Sequence, residues 1–439
     1  MTWPKVNGVI WEQTKALSKT LDNADDIPDS RVAMTPSIVV VALTLLLGIQ
    51  PVATDLYLPA LPTMVTAMGT TASAVQLTLS ALVIAFGLAQ LVCGPLADRF
   101  GRRPVLLTGL ALFTLASAGA TAAPSIDWLI LMRALQGVSM AAAVTCGRSM
   151  VRDLFQPHDG ARVMSRGLTG LGFLAILSPI IGSTTVAFIG WRASIASTAV
   201  FGLCALVFCA LRFKETLRVK NPLATRMGPV VRAWSTISSN RTFIAYTALT
   251  SATYCGIFLI LVGSSFVYID VLGLSRLEYG GVMAINSICY TAGTVLCRRL
   301  LLSRGLRGTV KVAGGISLTA GLGLAIASLT GMHTISMFAI AIPQWLYGVA
   351  HGVHQPCSQA GAIGPFPEAA GTSAALSGFF MMAAAFICAL VFARVSNGTV
   401  YPMALGIAGF SVVVAALSWT LVQRHGDPHR VTPVMPEPA

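Results

Sequence analysis

The sequence predicts an all-α integral membrane protein with twelve transmembrane helices in two six-helix bundles. Three observations lead to this fold class. The 439 residues are 55% hydrophobic and only 10% charged, whereas soluble domains average about 25% charged residues. Apolar runs of about 20 residues, the length that crosses the hydrocarbon core of a bilayer, recur along the chain. The basic residues fall mainly in every second connection between these runs.

The apolar runs predict the position of each span. They lie at roughly 37–57, 74–97, 104–123, 126–148, 166–189, 193–211, 242–264, 277–297, 312–330, 334–357, 371–393 and 401–422. The spans divide six and six around a polar, basic segment that contains two prolines. We therefore expect a polar cytoplasmic tail at 1–36, a bundle at 37–211, a basic cytoplasmic linker at 212–241, a second bundle at 242–422 and a cytoplasmic tail at 423–439.

The net charge of +13 reports membrane topology and does not indicate a nucleic-acid partner. Of the 29 Lys and Arg residues, 25 fall on the side that holds both tails, three fall on the other side, and Arg133 lies within a span. This asymmetry fits the positive-inside rule and places both termini in the cytoplasm. The 1–36 tail lacks the apolar core of a cleavable signal peptide. The sequence thus predicts a multi-pass membrane protein with both tails on the cytoplasmic side.

Motifs for chemistry on a substrate are missing from the sequence. The nine cysteines lie within or at the ends of spans and form no C-x-x-C motif, which is typical of packing residues. His351 and His354 stand three apart without a carboxylate at ligand spacing, so we expect no metal site. Neither a Walker A motif nor a Gly-x-Ser-x-Gly motif occurs. We therefore expect a transporter and not an enzyme or an ATP-driven pump.

Asp55 is an acidic residue at the far end of the first apolar run. A charge inside the membrane costs roughly 2.5–3.5 kcal/mol on insertion scales, and such residues usually mark ion or proton pathways. A carboxylate can avoid this cost by taking up a proton. The sequence therefore predicts that Asp55 takes part in proton coupling. The alternative is that it only caps a helix at the membrane surface.

A short turn separates the second and third spans, between Gly94 and Pro104. Gly101 can supply the positive φ that the turn requires, and Pro104 suits a first helical turn. Asp98 can cap a neighbouring helix or pair with a nearby arginine. Such an ion cluster at the membrane rim could hold two bundles in one state. The alternative is a tight turn with ordinary inside-positive charges.

The turn resembles the loop 2–3 signature of the major facilitator superfamily. The matching positions of this proposed gating motif are Gly94, Asp98, Arg99, Gly101, Arg102 and Arg103. Leu131–Gly137 resembles the span-four signature of proton-coupled members, in which the arginine, here Arg133, faces the central cavity and influences proton transfer. A buried arginine stays charged and needs a carboxylate, carbonyls or water nearby. A purely structural role for Arg133 is the alternative.

Further segments resemble the Bcr/CflA drug-resistance subfamily of 12-span drug:proton antiporters, over about residues 37–420. They are Asp55–Pro62, Gln76–Ser80, Val151–Asp153, Gly190–Arg192 and Gly364–Pro367. One segment departs from the pattern. Antiporters usually carry a glycine-rich signature in span five, whereas Ser178 and Ser183 stand here where glycines are usual. This departure leaves open a major facilitator uptake carrier for a small metabolite.

The resemblance implies the major facilitator fold and proton-coupled export of small amphipathic molecules by alternating access. Asp55 would exchange a proton for the substrate, and Arg133 would influence that exchange. Tyr57, Gln136 and Tyr254 are the candidates for the substrate cavity, because aromatic walls with a few polar groups suit amphipathic molecules. The resemblance also implies a location in the bacterial cytoplasmic (inner) membrane. The expected partners are the substrate, protons and the lipid bilayer. We expect a monomer that uses the proton gradient and no cofactor.

Overall fold

A computed structural model describes residues 34–217 and 219–427 of the chain. Most of the two predicted tails, and Arg218 of the linker, lie outside the described residues. The described residues are almost entirely helical. Long apolar segments fold in this way in a bilayer because a helix satisfies its backbone hydrogen bonds internally.

The first bundle consists of six long helices joined by short turns. They are α1 (Pro36–Asp55), α2 (Ala72–Phe100), α3 (Arg102–Thr121), α4 (Ile126–Leu154), α5 (Pro157–Phe188) and α6 (Trp191–Arg212). After α1 the chain continues through a 3-10 turn and a short helix, so that one apolar stretch runs over Pro36–Ala67, 32 residues long. At 1.5 Å per residue this stretch measures about 48 Å, more than the ~30 Å of a hydrocarbon core. Asp55 therefore lies within the stretch and not at its end.

The second bundle follows a linker that contains a short helix, Met227–Ser238. A continuous 54-residue helical segment, Arg276–Leu329, breaks at Gly305, where φ is 63° and ψ is −175°. We call its two parts α8, before the break, and α9, after it. The other helices are α7 (Arg241–Ser265), α10 (Phe338–Ile363), α11 (Ala370–Val395) and α12 (Tyr401–Trp419).

The predicted all-α fold with twelve transmembrane helices is confirmed. Ten helical stretches of the described residues are long and apolar enough to cross a membrane, and the one that contains the break at Gly305 supplies two crossings. α10 is the remaining helix, with 26 residues. It is less apolar because it carries Gln344, His351 and His354.

The bundles meet along two helix pairs, α2 with α11 and α5 with α8. Small residues allow these helices to approach closely, as is usual in membrane proteins. A Cβ on Gly87 of α2 would lie only 2.7 Å from the Cβ of Met382 on α11, and Gly280 of α8 lies against Ser183 of α5. We call the side of the membrane that holds the α2–α3 turn and the linker the basic side, and the other the opposite side.

Candidate functional site

The carboxyl group of Asp55 lies between the two bundles. On its own helix, the Thr54 hydroxyl donates a hydrogen bond of 2.7 Å to Asp55 Oδ1. The hydroxyls of Tyr254 on α7 and Tyr279 on α8 are close enough to interact electrostatically with the carboxylate. Asp55 keeps part of its surface accessible. It thus contacts the first bundle directly and faces two tyrosines of the second.

No basic side chain of the described residues forms an ion pair with Asp55. An ionised carboxylate in apolar surroundings is costly without a cation or several hydrogen-bond donors. The neutral, protonated carboxyl avoids most of that cost. The arrangement therefore suits a group that binds and releases a proton when its access to water changes.

Arg133 is buried in the first bundle with 1% of its surface exposed. One terminal nitrogen donates to Gln136 Oε1 at 2.7 Å, and the other donates to the main-chain oxygen of Ala53 at 2.9 Å. The centre of the guanidinium lies 4.2 Å from the centroid of the Tyr57 ring. The partners of this buried cation are thus a carbonyl, an amide and an aromatic face. Arg133 reaches Asp55 only through the backbone two residues before it.

Tyr57 and Gln136, two of the three residues predicted for the substrate cavity, belong to the surroundings of Arg133. The Tyr57 hydroxyl shares a 2.7 Å hydrogen bond with Thr78, and Gln136 donates one of 2.7 Å to Ser117. Their exposed fractions are 2% and 0%. In this structure the polar groups of both side chains form hydrogen bonds within the first bundle.

Tyr254, the third predicted cavity residue, lies at the bundle interface next to two other rings. Its ring centroid lies 6.3 Å from that of His351 on α10, which lies 5.7 Å from that of Tyr290 on α8. Each of the three lies close to the middle of its helix. We call Tyr254, Tyr290 and His351 the midplane cluster. Each of the three residues lies at a similar distance from the ends of its predicted helix, and this sequence signal could have predicted that they lie at the same depth.

The turn between α2 and α3 contains a network of ion pairs. Gly101 adopts φ 107°, so that α3 starts immediately after α2 ends. Arg102 pairs with Asp98 at 2.7 Å and with Asp153 of α4 at 3.1 Å. The sequence predicted an ion cluster with Asp98 and Arg102 and marked Asp153 only as part of the Val151–Asp153 segment, because only the packing of α4 brings that acid to the turn.

The other arginines of the turn contact the linker. Arg99 donates to the Thr225 hydroxyl at 2.6 Å, and Arg103 donates to the main-chain oxygen of Phe213 at 2.8 Å. The carboxylate of Glu215 accepts the backbone N–H groups of Arg102 at 2.9 Å and Arg103 at 3.2 Å. An anion at a helix N-terminus is favourable because it satisfies unpaired N–H groups. The linker therefore caps α3.

Gly94, the remaining residue of the proposed gating motif, has open space on the side where a Cβ would stand.

Polar contacts join the bundles on the opposite side. Three hydrogen bonds cross between them there: Ser73 to the Ala393 carbonyl at 3.0 Å, Gln76 to the Val262 carbonyl at 3.1 Å and Arg276 to the Thr63 hydroxyl at 3.2 Å. At the basic ends of the helices, no hydrogen bond of the described residues links one bundle to the other. The contacts therefore hold the opposite side closed.

Comparison with known proteins identifies the family. The sequence profile of the Major Facilitator Superfamily matches residues 43–389. The chain belongs to this superfamily. The "Bicyclomycin resistance protein homolog" of Haemophilus influenzae is 25% identical over 87% of this chain and 95% of its own length. The "Chloramphenicol resistance protein" of Pseudomonas aeruginosa is 27% identical over 83% of this chain and 86% of its own.

A solved structure supports the fold. The xylose transporter XylE from E. coli, in a partially occluded inward open conformation, superposes with a TM-score of 0.68 at 16% identity, over 88% of this chain and 97% of XylE. The predicted resemblance to a drug-resistance subfamily of the major facilitators is confirmed by the relatives named for resistance. The chain is a multi-pass membrane protein of a transporter family.

Proposed function

We propose that this protein exports small amphipathic, drug-like molecules across the bacterial cytoplasmic membrane in exchange for protons. The observation that carries the proposal is the Asp55 carboxyl, which lies between the bundles without a cation partner. The relatives named for bicyclomycin and chloramphenicol resistance support drug-like substrates and export. The sequence assigns 25 of the 29 Lys and Arg residues to the basic side, which is therefore the cytoplasmic side.

The transport cycle follows from the two sets of contacts between the bundles. In the described state the three hydrogen bonds on the opposite side close the path to the exterior. When the bundles rock about the α2–α11 and α5–α8 pairs, these bonds break and the central site opens outward. Asp55 faces Tyr254 and Tyr279 of the other bundle, so its surroundings change with that motion.

Exchange requires that proton and substrate favour different states of the same site. Facing the exterior, Asp55 takes up a proton and the substrate leaves. Facing the cytoplasm, it loses the proton and a substrate enters. The inward proton gradient then drives the substrate out. Arg133 holds the segment around Asp55 in place through the Ala53 carbonyl, which is how it influences proton transfer without pairing with Asp55.

The Asp55→Asn variant tests this function, since asparagine keeps the size of the side chain and cannot release a proton. We expect it to reach the membrane in normal amounts and to lose chloramphenicol efflux that an uncoupler abolishes. The matched control is Asp127→Asn, which neutralises an exposed acid in the first turn of α4 and leaves efflux intact. A persistent, uncoupler-sensitive chloramphenicol gradient in Asp55→Asn contradicts the assignment of Asp55.

The direction of transport is tested separately, because a metabolite uptake carrier would share the fold. Labelled chloramphenicol should accumulate in everted vesicles when a proton gradient is applied. Accumulation in whole cells, with none in everted vesicles, would show uptake instead.

A further inference from the structure

A second charged side chain faces the cleft between the bundles, near the basic end of α4. Arg148 is exposed although it lies in a transmembrane helix. It interacts electrostatically with the hydroxyl of Tyr290 on α8. One turn further along α4, a guanidinium nitrogen of Arg152 lies 3.4 Å from where a Cβ on Gly371 of α11 would stand. Because both neighbours belong to the second bundle, this face of α4 borders the cleft and not the lipid.

Arg148 has no acidic partner among the described residues. Arg102, near the start of α3, differs because it has two. An arginine cannot shed its charge at any ordinary pH, so at membrane depth it requires polar or anionic partners. An anionic group in the cleft would supply the missing counter-charge.

The midplane cluster lies beside this charge and includes one partly exposed ring, that of Tyr290. The His351 ring is tilted by 36° to the Tyr290 ring and by 45° to the Tyr254 ring. His351 is 4% exposed, and its Nδ1 atom has no hydrogen-bond partner. The buried Oδ1 atom of Asn286, one turn before Tyr290, also lacks one. Tyr290 is the partly exposed ring of the three, and an aromatic face beside polar groups suits a flat, conjugated ligand.

The charges at the two ends of the cluster differ in sign. Asp55 lies near the Tyr254 hydroxyl, and Arg148 lies near that of Tyr290. A ligand with an acid group would therefore orient that group toward Arg148 and away from Asp55. Since Asp55 is the proton-exchanging group of the proposed function, this orientation leaves it free to exchange its proton.

We propose that the cleft binds planar aromatic molecules that carry a carboxylate, with the carboxylate on Arg148 and the ring on the midplane cluster. The proposal rests on the proposed function and names the molecules that bind most tightly among its amphipathic substrates. Guanidinium and carboxylate form charge-assisted hydrogen bonds, which are about twice as strong as neutral ones. Neutral molecules of the same shape should bind more weakly, because they leave the arginine without its counter-charge.

The test uses a matched pair of probes, 2-naphthoate and the neutral 2-naphthamide, with the purified full-length protein in lipid nanodiscs. Titration calorimetry should show naphthoate binding at least about tenfold tighter than naphthamide, the effect of one charge-assisted hydrogen bond. Arg148→Gln should remove this preference and leave naphthamide binding within about twofold, while Arg148→Lys should keep part of it. The control Arg299→Gln removes an exposed charge at the basic end of α8 and should change neither affinity.

Three results would overturn the proposal. They are the absence of saturable naphthoate binding to the wild-type protein, equal affinities for the two probes, and a preference that persists in Arg148→Gln. If Arg148→Gln abolished the binding of both naphthoate and naphthamide, the result would point to a structural role for Arg148. Tyr290→Phe therefore serves as a second variant. It keeps the ring, and we expect it to reduce naphthoate affinity more than naphthamide affinity.

These outcomes are independent of the efflux assay. If Arg148→Gln abolishes the naphthoate preference while Asp55→Asn still shows coupled chloramphenicol efflux, the site stands and the coupling assignment fails. If Asp55→Asn loses efflux but the probes do not discriminate, the function stands and the substrate class is wrong.

Discussion

Replacing Arg102 with glutamine removes the charge shared by two carboxylates at the basic end of the first bundle. The Arg102 side chain is 4% exposed, whereas those of Asp98 and Asp153 are 45% and 15% exposed. The distance to Asp98 is the shorter, 2.7 Å against 3.1 Å to Asp153. Distance and burial therefore make opposite predictions about which acid matters more.

Burial should decide between them. Removing one partner of a fully buried ion pair costs about 3–5 kcal/mol, whereas exposed pairs contribute about 0–1 kcal/mol because water screens them. Asp153 is nearer the buried limit and also accepts a hydrogen bond of 3.2 Å from Thr216. We expect an Arg102–Asp153 coupling of about 2–3 kcal/mol and an Arg102–Asp98 coupling below about 1 kcal/mol.

Double-mutant cycles measure these couplings. Arg102→Gln is combined with Asp153→Asn in one cycle and with Asp98→Asn in the other, and the free energy of unfolding is obtained by titrating the purified protein in mixed micelles with SDS. Each cycle isolates one pair, provided that the single variants make no new contacts. A coupling to Asp98 that equals or exceeds the coupling to Asp153 would refute the reasoning from burial.

Two further predictions concern the packing of α4. Gly137→Ala places a Cβ against the backbone of Leu82 on α2, so we expect the same titration to show a loss of about 1–3 kcal/mol of stability. Gly281→Ala, where a Cβ meets open space, should lose no stability, because alanine is the better helix former. A loss equal to that of Gly137→Ala would show that the close approach to Leu82 is not responsible. Tyr57→Leu should destabilise by about 1–2 kcal/mol more than Tyr57→Phe, because phenylalanine keeps a ring beneath Arg133. Equal effects of these two substitutions would exclude a contribution from the cation–π contact.

Much of the fold could be predicted from the sequence because a bilayer leaves few alternatives. The apolar runs and the alternation of basic connections together indicate twelve helices, including α10, whose polar residues make it the least obvious span. The boundary between α8 and α9 was also predictable. It falls at a basic turn, and Gly305 supplies the positive φ at which the two helices separate.

The candidate site was predictable only in part. Asp55 and Arg133 stand out because ionisable residues are rare in apolar runs. The partners of Arg133 do not stand out, because nothing in the sequence indicates that the Ala53 carbonyl and the Tyr57 ring contact a cation. The prediction that Arg133 acts on Asp55 remains a prediction, and in this structure the route between them is the backbone.

Sequence alone determined the environment of this protein and the number of its membrane crossings, because the cost of placing charge and unpaired backbone in lipid acts on each segment separately. Only the tertiary structure decided which side chains meet. It brought Asp153 to Arg102 and Glu215 to the start of α3, and it brought three rings from three helices to the middle of the membrane. The physical reason is that these contacts depend on how helices distant in the chain pack against one another, which local hydrophobicity does not specify.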